Sequence, residues 1–218
     1  MLNKQSGNMY KFVTHTWNPI KGKCSHNCKY CYMKVWGKQK PARLVKKELK
    51  DDLGAGNFIF VGSSCDMWAD DIPMEWVVKV LKKCKEHNNK YLFQSKNPER
   101  FVCIDILDFP KNMVLGTTIE SNKMYNISNA PNVEDRVYWL SHMSQIFETT
   151  VTIEPILDFE LSELVDLIKR VSPTWINIGA DSKGHGLPEP SKKKIDKLVK
   201  ELKKVTKVNL KKNLNRLL

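Results

Sequence analysis

Cys24-Ser-His-Asn-Cys28-Lys-Tyr-Cys31 sets three thiols in one short stretch, at the spacing C-x3-C-x2-C. Iron–sulfur clusters are normally held by four thiolates. Three close together, without an obvious fourth, suit a cluster that leaves one iron open for chemistry. Cys65 is the only credible fourth ligand, because it follows an apolar strand-like run. Cys84 falls on the apolar stripe of a helical pattern and Cys103 in the middle of another, so both read as buried small hydrophobes. Zinc is the chemical rival, with His26 or His15 completing a Cys3His set. Structural zinc usually shows a second ligand pair, which this stretch lacks. His87, His142 and His185 have no metal-ligand spacing.

Outward from the loop, strand-like apolar runs recur with helical patterns between them. Candidate strands are Tyr10–Thr16, Asn57–Gly62, Lys90–Ser95, Met113–Ile119, Thr149–Glu154 and Thr174–Gly179, with Lys207–Leu210 as a short seventh. Most are bounded by Gly, Asn, Ser or Pro. Candidate helices are Pro41–Leu53, Met74–His87, a capped segment from Asn97 to about Leu107, Val133–Met143, Leu161–Val171 and a basic C-terminal helix over about 191–205. In the last of these Ile195, Leu198, Val199 and Leu202 share one face and lysines the other. Strand–helix alternation of this kind predicts an α/β fold with a parallel sheet, here a partial (β/α)6 barrel. Such folds carry their site at the C-terminal ends of the strands. The cysteine loop follows the first strand, and loops starting at Ser63, Lys96, Glu120, Glu154 and Ala180 point to the same mouth.

A chain of 218 residues fits one domain, residues 1–218. No apolar run approaches the roughly 18 residues that span a bilayer, so no membrane partner is expected. The N-terminus has no apolar leader segment. Both points predict a cytoplasmic, reducing location, in which the six cysteines are ligands and free thiols rather than disulfides. The net charge is +12, with Lys/Arg-rich stretches at Lys46–Lys50 and Lys192–Lys212. A solvated lysine surface and attraction to nucleic acid both fit that charge.

The C-x3-C-x2-C stretch, with Tyr30 before the last cysteine, resembles the signature of the radical S-adenosylmethionine (SAM) superfamily. Thr16-Trp17-Asn18-Pro19 leading into Cys24, and Cys31-Tyr32 closing the loop, are similar to a family of short radical SAM proteins of phages and bacteria known as a domain of unknown function. Phe58–Asp66, Gln94–Arg100, Leu115–Glu120, Ile153–Pro155 and Ile178–Ser182 follow in the family's order, so the resemblance covers about residues 10–182.

The resemblance implies a radical SAM enzyme. Cys24, Cys28 and Cys31 would hold a four-iron, four-sulfur cluster that binds SAM and cleaves it to a 5′-deoxyadenosyl radical. An electron donor such as flavodoxin or ferredoxin is implied. The substrate is not legible; the charge and the family point to nucleic acid or a nucleotide. A non-enzymatic zinc-binding nucleic-acid module is the alternative. Tyr30 would contact the adenine side of SAM, or else close the core. The Gly-Gly-Glu-like segment of related enzymes is replaced by Gly62-Ser63-Ser64-Cys65-Asp66, where Ser63, Ser64 and Asp66 offer similar polarity and Asp66 is also a candidate turn cap. Glu120 would bind the SAM ribose, or else pair with a Lys or Arg. Glu154 is a SAM contact or a partner of Arg136 or Lys96. Lys96 would hold the SAM carboxylate or an anionic substrate, and Asp181 with Ser182 would approach adenine or substrate. Cys65 is a candidate hydrogen donor to a substrate radical, or a buried small residue.

Overall fold

The computed structural model covers residues 1–218. Eight strands form one sheet: β1 (Asn3–Lys4), β2 (His15–Trp17), β5 (Phe58–Val61), β6 (Lys90–Gln94), β7 (Met113–Thr118), β8 (Glu148–Ile153), β9 (Trp175–Ile178) and β10 (Lys207–Leu210), in that spatial order. Only β1 is antiparallel to its neighbour; the seven others run parallel. Two further strands, β3 (Ile20–Lys21) and β4 (Arg43–Leu44), form a separate antiparallel pair. Helices α1 (Met74–Lys85), α2 (Val133–Met143), α3 (Leu161–Val171) and α4 (Lys192–Leu202) lie in the connections between parallel strands. This is the expected partial barrel, and the seventh strand is present.

Parallel strands are covered on both faces, so their sequences read as continuous apolar runs. Ile59, Val61, Tyr91, Phe93, Leu115, Val151, Ile153, Ile176 and Ile178 join the buried helix residues in the main core. The alternate residues face the concave side. There Leu92 and Val114 pack with Tyr10 and Val13, flanked by Phe12, Phe58, Phe60 and Trp175. Above this apolar floor the inner face turns polar. The Tyr10 hydroxyl meets Gln94 Oε1 at 2.8 Å and Thr152 Oγ1 at 2.9 Å.

Three expectations are corrected. The first parallel strand is His15–Trp17 rather than Tyr10–Thr16, because the preceding segment turns inward to fill the barrel. The helix expected over Pro41–Leu53 is β4 followed by a 3-10 turn at Glu48–Lys50; pairing of Arg43 and Leu44 with Lys21 and Ile20 draws the chain extended. The helix expected from Asn97 is two 3-10 turns, Pro98–Phe101 and Ile106–Asp108, the second started by the Asp105 side chain accepting from Leu107 N. Cys103 is consequently exposed rather than buried, whereas Cys84 lies in the core as expected.

The β3–β4 pair closes residues 22–42 into one loop carrying all three clustered cysteines. At its base Lys23 N donates to Lys40 O at 2.8 Å. Gly22 sits beside this contact at φ +129°, and a Cβ there would meet Pro41 O at 2.5 Å and Lys40 O at 2.8 Å. Both the angle and the backbone contact require glycine. Gly22→Ala is expected to cost about 1–3 kcal/mol and to open the loop base. Limited proteolysis should then cut within residues 22–42 while the far-ultraviolet circular dichroism of the barrel stays unchanged; an uncut loop would refute the pinning role.

Candidate functional site at the barrel mouth

The cysteine loop folds by successive tight turns. Asn27 N donates to Cys24 O at 3.3 Å, Cys31 N to Cys28 O at 3.2 Å, and Lys34 N to Cys31 O at 3.0 Å. Asn27 takes the left-handed conformation at φ 45°, which asparagine tolerates better than most residues. All three cysteines are free thiols, Cys28 buried and the others half-buried.

Two buried carboxylates fasten this loop to the strand ends. Asp66, after β5, accepts from His26 Nε2, Ser95 Oγ and the Lys96 backbone N–H, each at 2.9 Å, and from Trp68 N at 3.0 Å. Burial alone would raise its pKa, but His26 and the two backbone N–H groups outweigh burial and hold it below the usual carboxylate range. Glu120, after β7, is bonded by the Tyr30 hydroxyl, the Lys96 ammonium and Arg136, the last at 2.9 Å. Burial again opposes ionisation, yet Lys96 and Arg136 bring Glu120 down to about 2. Lys96 thus touches both anchors, Asp66 through its backbone and Glu120 through its side chain, and its Nζ lies 5.2 Å from the Tyr30 ring centre. Two main-chain bonds add to the fastening: Lys29 N to Ile127 O and Asn129 N to His26 O, each 2.7 Å.

The remaining candidates gather at the same rim. Asn18 Oδ1 accepts from Ser64 N at 2.8 Å and from Ser63 Oγ at 3.2 Å, and the Tyr32 hydroxyl donates to Ser63 O at 2.8 Å. Glu154, after β8, pairs with Lys211 Nζ at 2.6 Å and accepts from Asn213 at 2.7 Å and Asn8 at 2.9 Å. Its ionic partner is therefore Lys211, supplied by the seventh strand's end, not Arg136 or Lys96, which both serve Glu120. Gly179 makes room for this carboxylate, since a Cβ there would lie 2.7 Å from Glu154 Oε1. Asp181 is taken up by its own turn, accepting from His185 Nδ1 at 2.7 Å and Lys183 N at 3.1 Å. Ser182 Oγ receives Asn213 at 2.9 Å.

The mouth therefore has two halves: the cysteine loop with Ser63, Ser64, Asp66, Lys96 and Glu120, and an opposite cluster of Glu154, Asp181, Ser182 and Lys211. Asn8, Asn18 and Asn213 are polar members that sequence reasoning missed; Asn18 lay inside a quoted segment, but an amide carries no chemical signature of its own. Cys65 is buried in the main core, where burial first and Asp66 next push its thiol up to about 12.

The three-thiol donor set fits a cluster. The backbone N–H groups of His26 and Asp66 favour a thiolate at Cys24, against burial. Burial raises the pKa of Cys24 and Cys28, with Lys96 and then Tyr30 pulling Cys28 partly back. Metal binding displaces such thiol protons.

The arrangement defines a partial barrel of parallel strands, with its cysteine loop above the strand ends. A family model described as "Protein of unknown function (DUF5131)" matches residues 8–187, and the chain belongs to that family. No curated protein matches the sequence. Among solved structures, a cysteine-to-serine mutant of spore photoproduct lyase is similar with a TM-score of 0.70 at 11% identity, covering 94% of this chain and 78% of that one. A mutant of the same enzyme with bound AdoMet and dinucleoside spore photoproduct gives 0.60 at 12% identity, over 92% and 64%. The enzyme complexed with dinucleoside spore photoproduct gives 0.61 at 11%, over 92% and 64%. No helix is long and apolar enough to cross a membrane.

Proposed function

We propose that this protein is a radical SAM enzyme whose substrate is nucleic acid or a nucleotide. The observation that carries the reading is the placement of Cys24, Cys28 and Cys31 on one fastened loop over the strand ends of a barrel like that of spore photoproduct lyase. Those three cysteines would hold a four-iron, four-sulfur cluster, leaving one iron for SAM. When bound, the cluster and SAM supply a 5′-deoxyadenosyl radical that takes hydrogen from the substrate. Cys65 is kept as a full S–H by its raised pKa, the state a hydrogen donor needs. Ser63 and Ser64 supply polar groups at the rim for SAM. Tyr30, Lys96 and Glu120 fix the loop's far wall behind the SAM site, the Glu120 oxygens being engaged by Tyr30, Lys96 and Arg136. Asp66 positions the loop rather than the ligand, because its oxygens are engaged by the chain. Glu154, Asp181 and Ser182 bound the substrate side. AdoMet and a dinucleoside bound to the similar lyase support both halves of the reading.

Anaerobic reconstitution tests it. The protein should take up about four irons and four sulfides per chain and, with dithionite, release 5′-deoxyadenosine from SAM. One bound zinc and no 5′-deoxyadenosine would instead make the chain a zinc module.

A further inference from the structure

We infer that the lobe over residues 29–43, beside the cysteine loop, is a docking surface for single-stranded nucleic acid. This deepens the proposed function, on which it rests, by naming the strand state of the substrate and the residues that seat it.

Charge is the first observation. No Asp or Glu precedes Glu48, while the same stretch holds ten lysines and Arg43. Of the net +12, +11 therefore arises in the first 47 residues. Of the Lys and Arg side chains between residues 20 and 47, only Lys21 makes an ion pair, with Glu48 at 2.6 Å. Lys29, Lys34, Lys38, Lys40 and Arg43 are left to act on an outside partner. A solvated lysine surface ordinarily intersperses both signs; this one carries a single sign, the footprint of a polyanion partner.

Exposure is the second. Trp36 is 75% exposed, Val35 61% and Tyr32 47%, all within the 3-10 turn Tyr32–Trp36. An exposed tryptophan among unpaired lysines has the composition of a stacking platform, on which bases lie against aromatic faces while cations track the phosphates. Stacking needs an open base face, which a duplex withholds. The exposed part of the lobe is a short 3-10 turn and loop, and the two-residue β3–β4 pair at its base is too short to lie along a major groove.

Continuity with the mouth is the third. A hollow of about 320 Å³ is lined by Lys21, Met33, Trp36, Lys38, Lys40 and Arg43, and reaches Ser64 on the rim. Its size lies within the roughly 300–1,000 Å³ of pockets that seat one small ligand. The Tyr32 hydroxyl bond to Ser63 O fixes one flank of the lobe to the same rim loop. A strand lying on Trp36 would thus pass one nucleotide through the hollow toward the cysteine loop.

The test is fluorescence anisotropy on the anaerobically reconstituted protein with a short labelled oligothymidylate, its duplex form and labelled polyglutamate. Single strand should bind tighter than duplex and quench tryptophan emission. Trp36→Ala should weaken single-strand binding about tenfold, with Trp36→Phe restoring most of it and polyglutamate unaffected. Replacing Lys34, Lys38 and Lys40 together by Ala should flatten the salt dependence of log K by about 2. Trp36 is exposed, so loss of folding does not confound the result. Equal affinity for duplex, or no effect of Trp36→Ala, would overturn the inference; binding of polyglutamate alone would replace nucleic acid by an acidic protein. The 5′-deoxyadenosine assay on the same sample is read separately: cleavage without oligonucleotide binding sinks this inference alone, and binding without cleavage sinks the radical reading.

Discussion

Glu120→Ala is expected to destabilise the fold by about 3–5 kcal/mol, because it leaves two buried cations facing one another. Lys96 and Arg136 both close on this carboxylate, and all three side chains are almost wholly shielded from water. The attraction that offsets their desolvation disappears with the anion. In a chain of this size each kcal/mol moves Tm by about 2–4 °C, so calorimetry should show a fall of roughly 10 °C. Glu120→Gln keeps the shape but not the charge and should fall nearly as far. Acid makes the same change without mutation. Glu120 titrates near 4.5 when free and at about 2 in the fold. Its contribution is therefore complete above about pH 4.5 and is lost as pH falls from there toward 2, a linkage worth about 3 kcal/mol. Asp66, held low by His26, loses its contribution in the same direction. An unchanged Tm in Glu120→Ala, or stability flat between pH 5 and about 2, would show that the triad is not the anchor described.

Cys28→Ala should abolish the visible absorption of the reconstituted protein and its 5′-deoxyadenosine production together. Cys28 is the most buried of the three loop cysteines and lies in the electrostatic reach of Lys96, Glu120 and Cys31. Removing it leaves two thiols where a cluster with one open iron needs three. Cys103→Ala serves as the control, since that thiol is exposed, outside the cysteine loop, and should change neither signal. Cys65→Ala separates two roles. Retained absorption excludes it as a fourth ligand, and an altered product with unchanged 5′-deoxyadenosine would support hydrogen donation. Retention of the full absorption in Cys28→Ala would remove the ligand assignment.

Much of the barrel was legible because buried parallel strands leave plain apolar runs: Met113–Thr118 and Lys207–Leu210 fall where the sequence placed them, and Val133–Met143 and Leu161–Val171 match to the residue. Two causes account for the failures. Over Pro41–Leu53 the local composition favours helix, but pairing with Ile20 and Lys21 wins, as tertiary contacts commonly override weak propensities. After Asn97, side chains divert the chain: Asp105 starts a new turn, and Arg100 donates to the carbonyls of Ala69, Asp70 and Ile72. At the mouth, the strand-end rule gathered Lys96, Glu120 and Glu154 correctly, yet could not say who pairs with whom. Glu154 finds Lys211 across 57 positions of sequence, a choice made by barrel curvature, which no local pattern encodes. The bulk net charge masked its own concentration: the first 47 residues carry +11 of the +12, and the structure adds that most of those cations have no acidic partner.

The double contact of Lys96 has a consequence for cofactor assembly. A loop hung from one bond can swing; this one is tied to the ends of β5 and β7, with Lys96 at the end of β6 joining the two anchors. Small zinc domains gain their shape from the metal, and binding must then cover the ordering of the chain. Here hydrogen bonds within the protein meet that entropy in advance. In the proposed enzyme, iron and sulfide would meet Cys24, Cys28 and Cys31 on a loop that the protein's own hydrogen bonds already fasten to the strand ends.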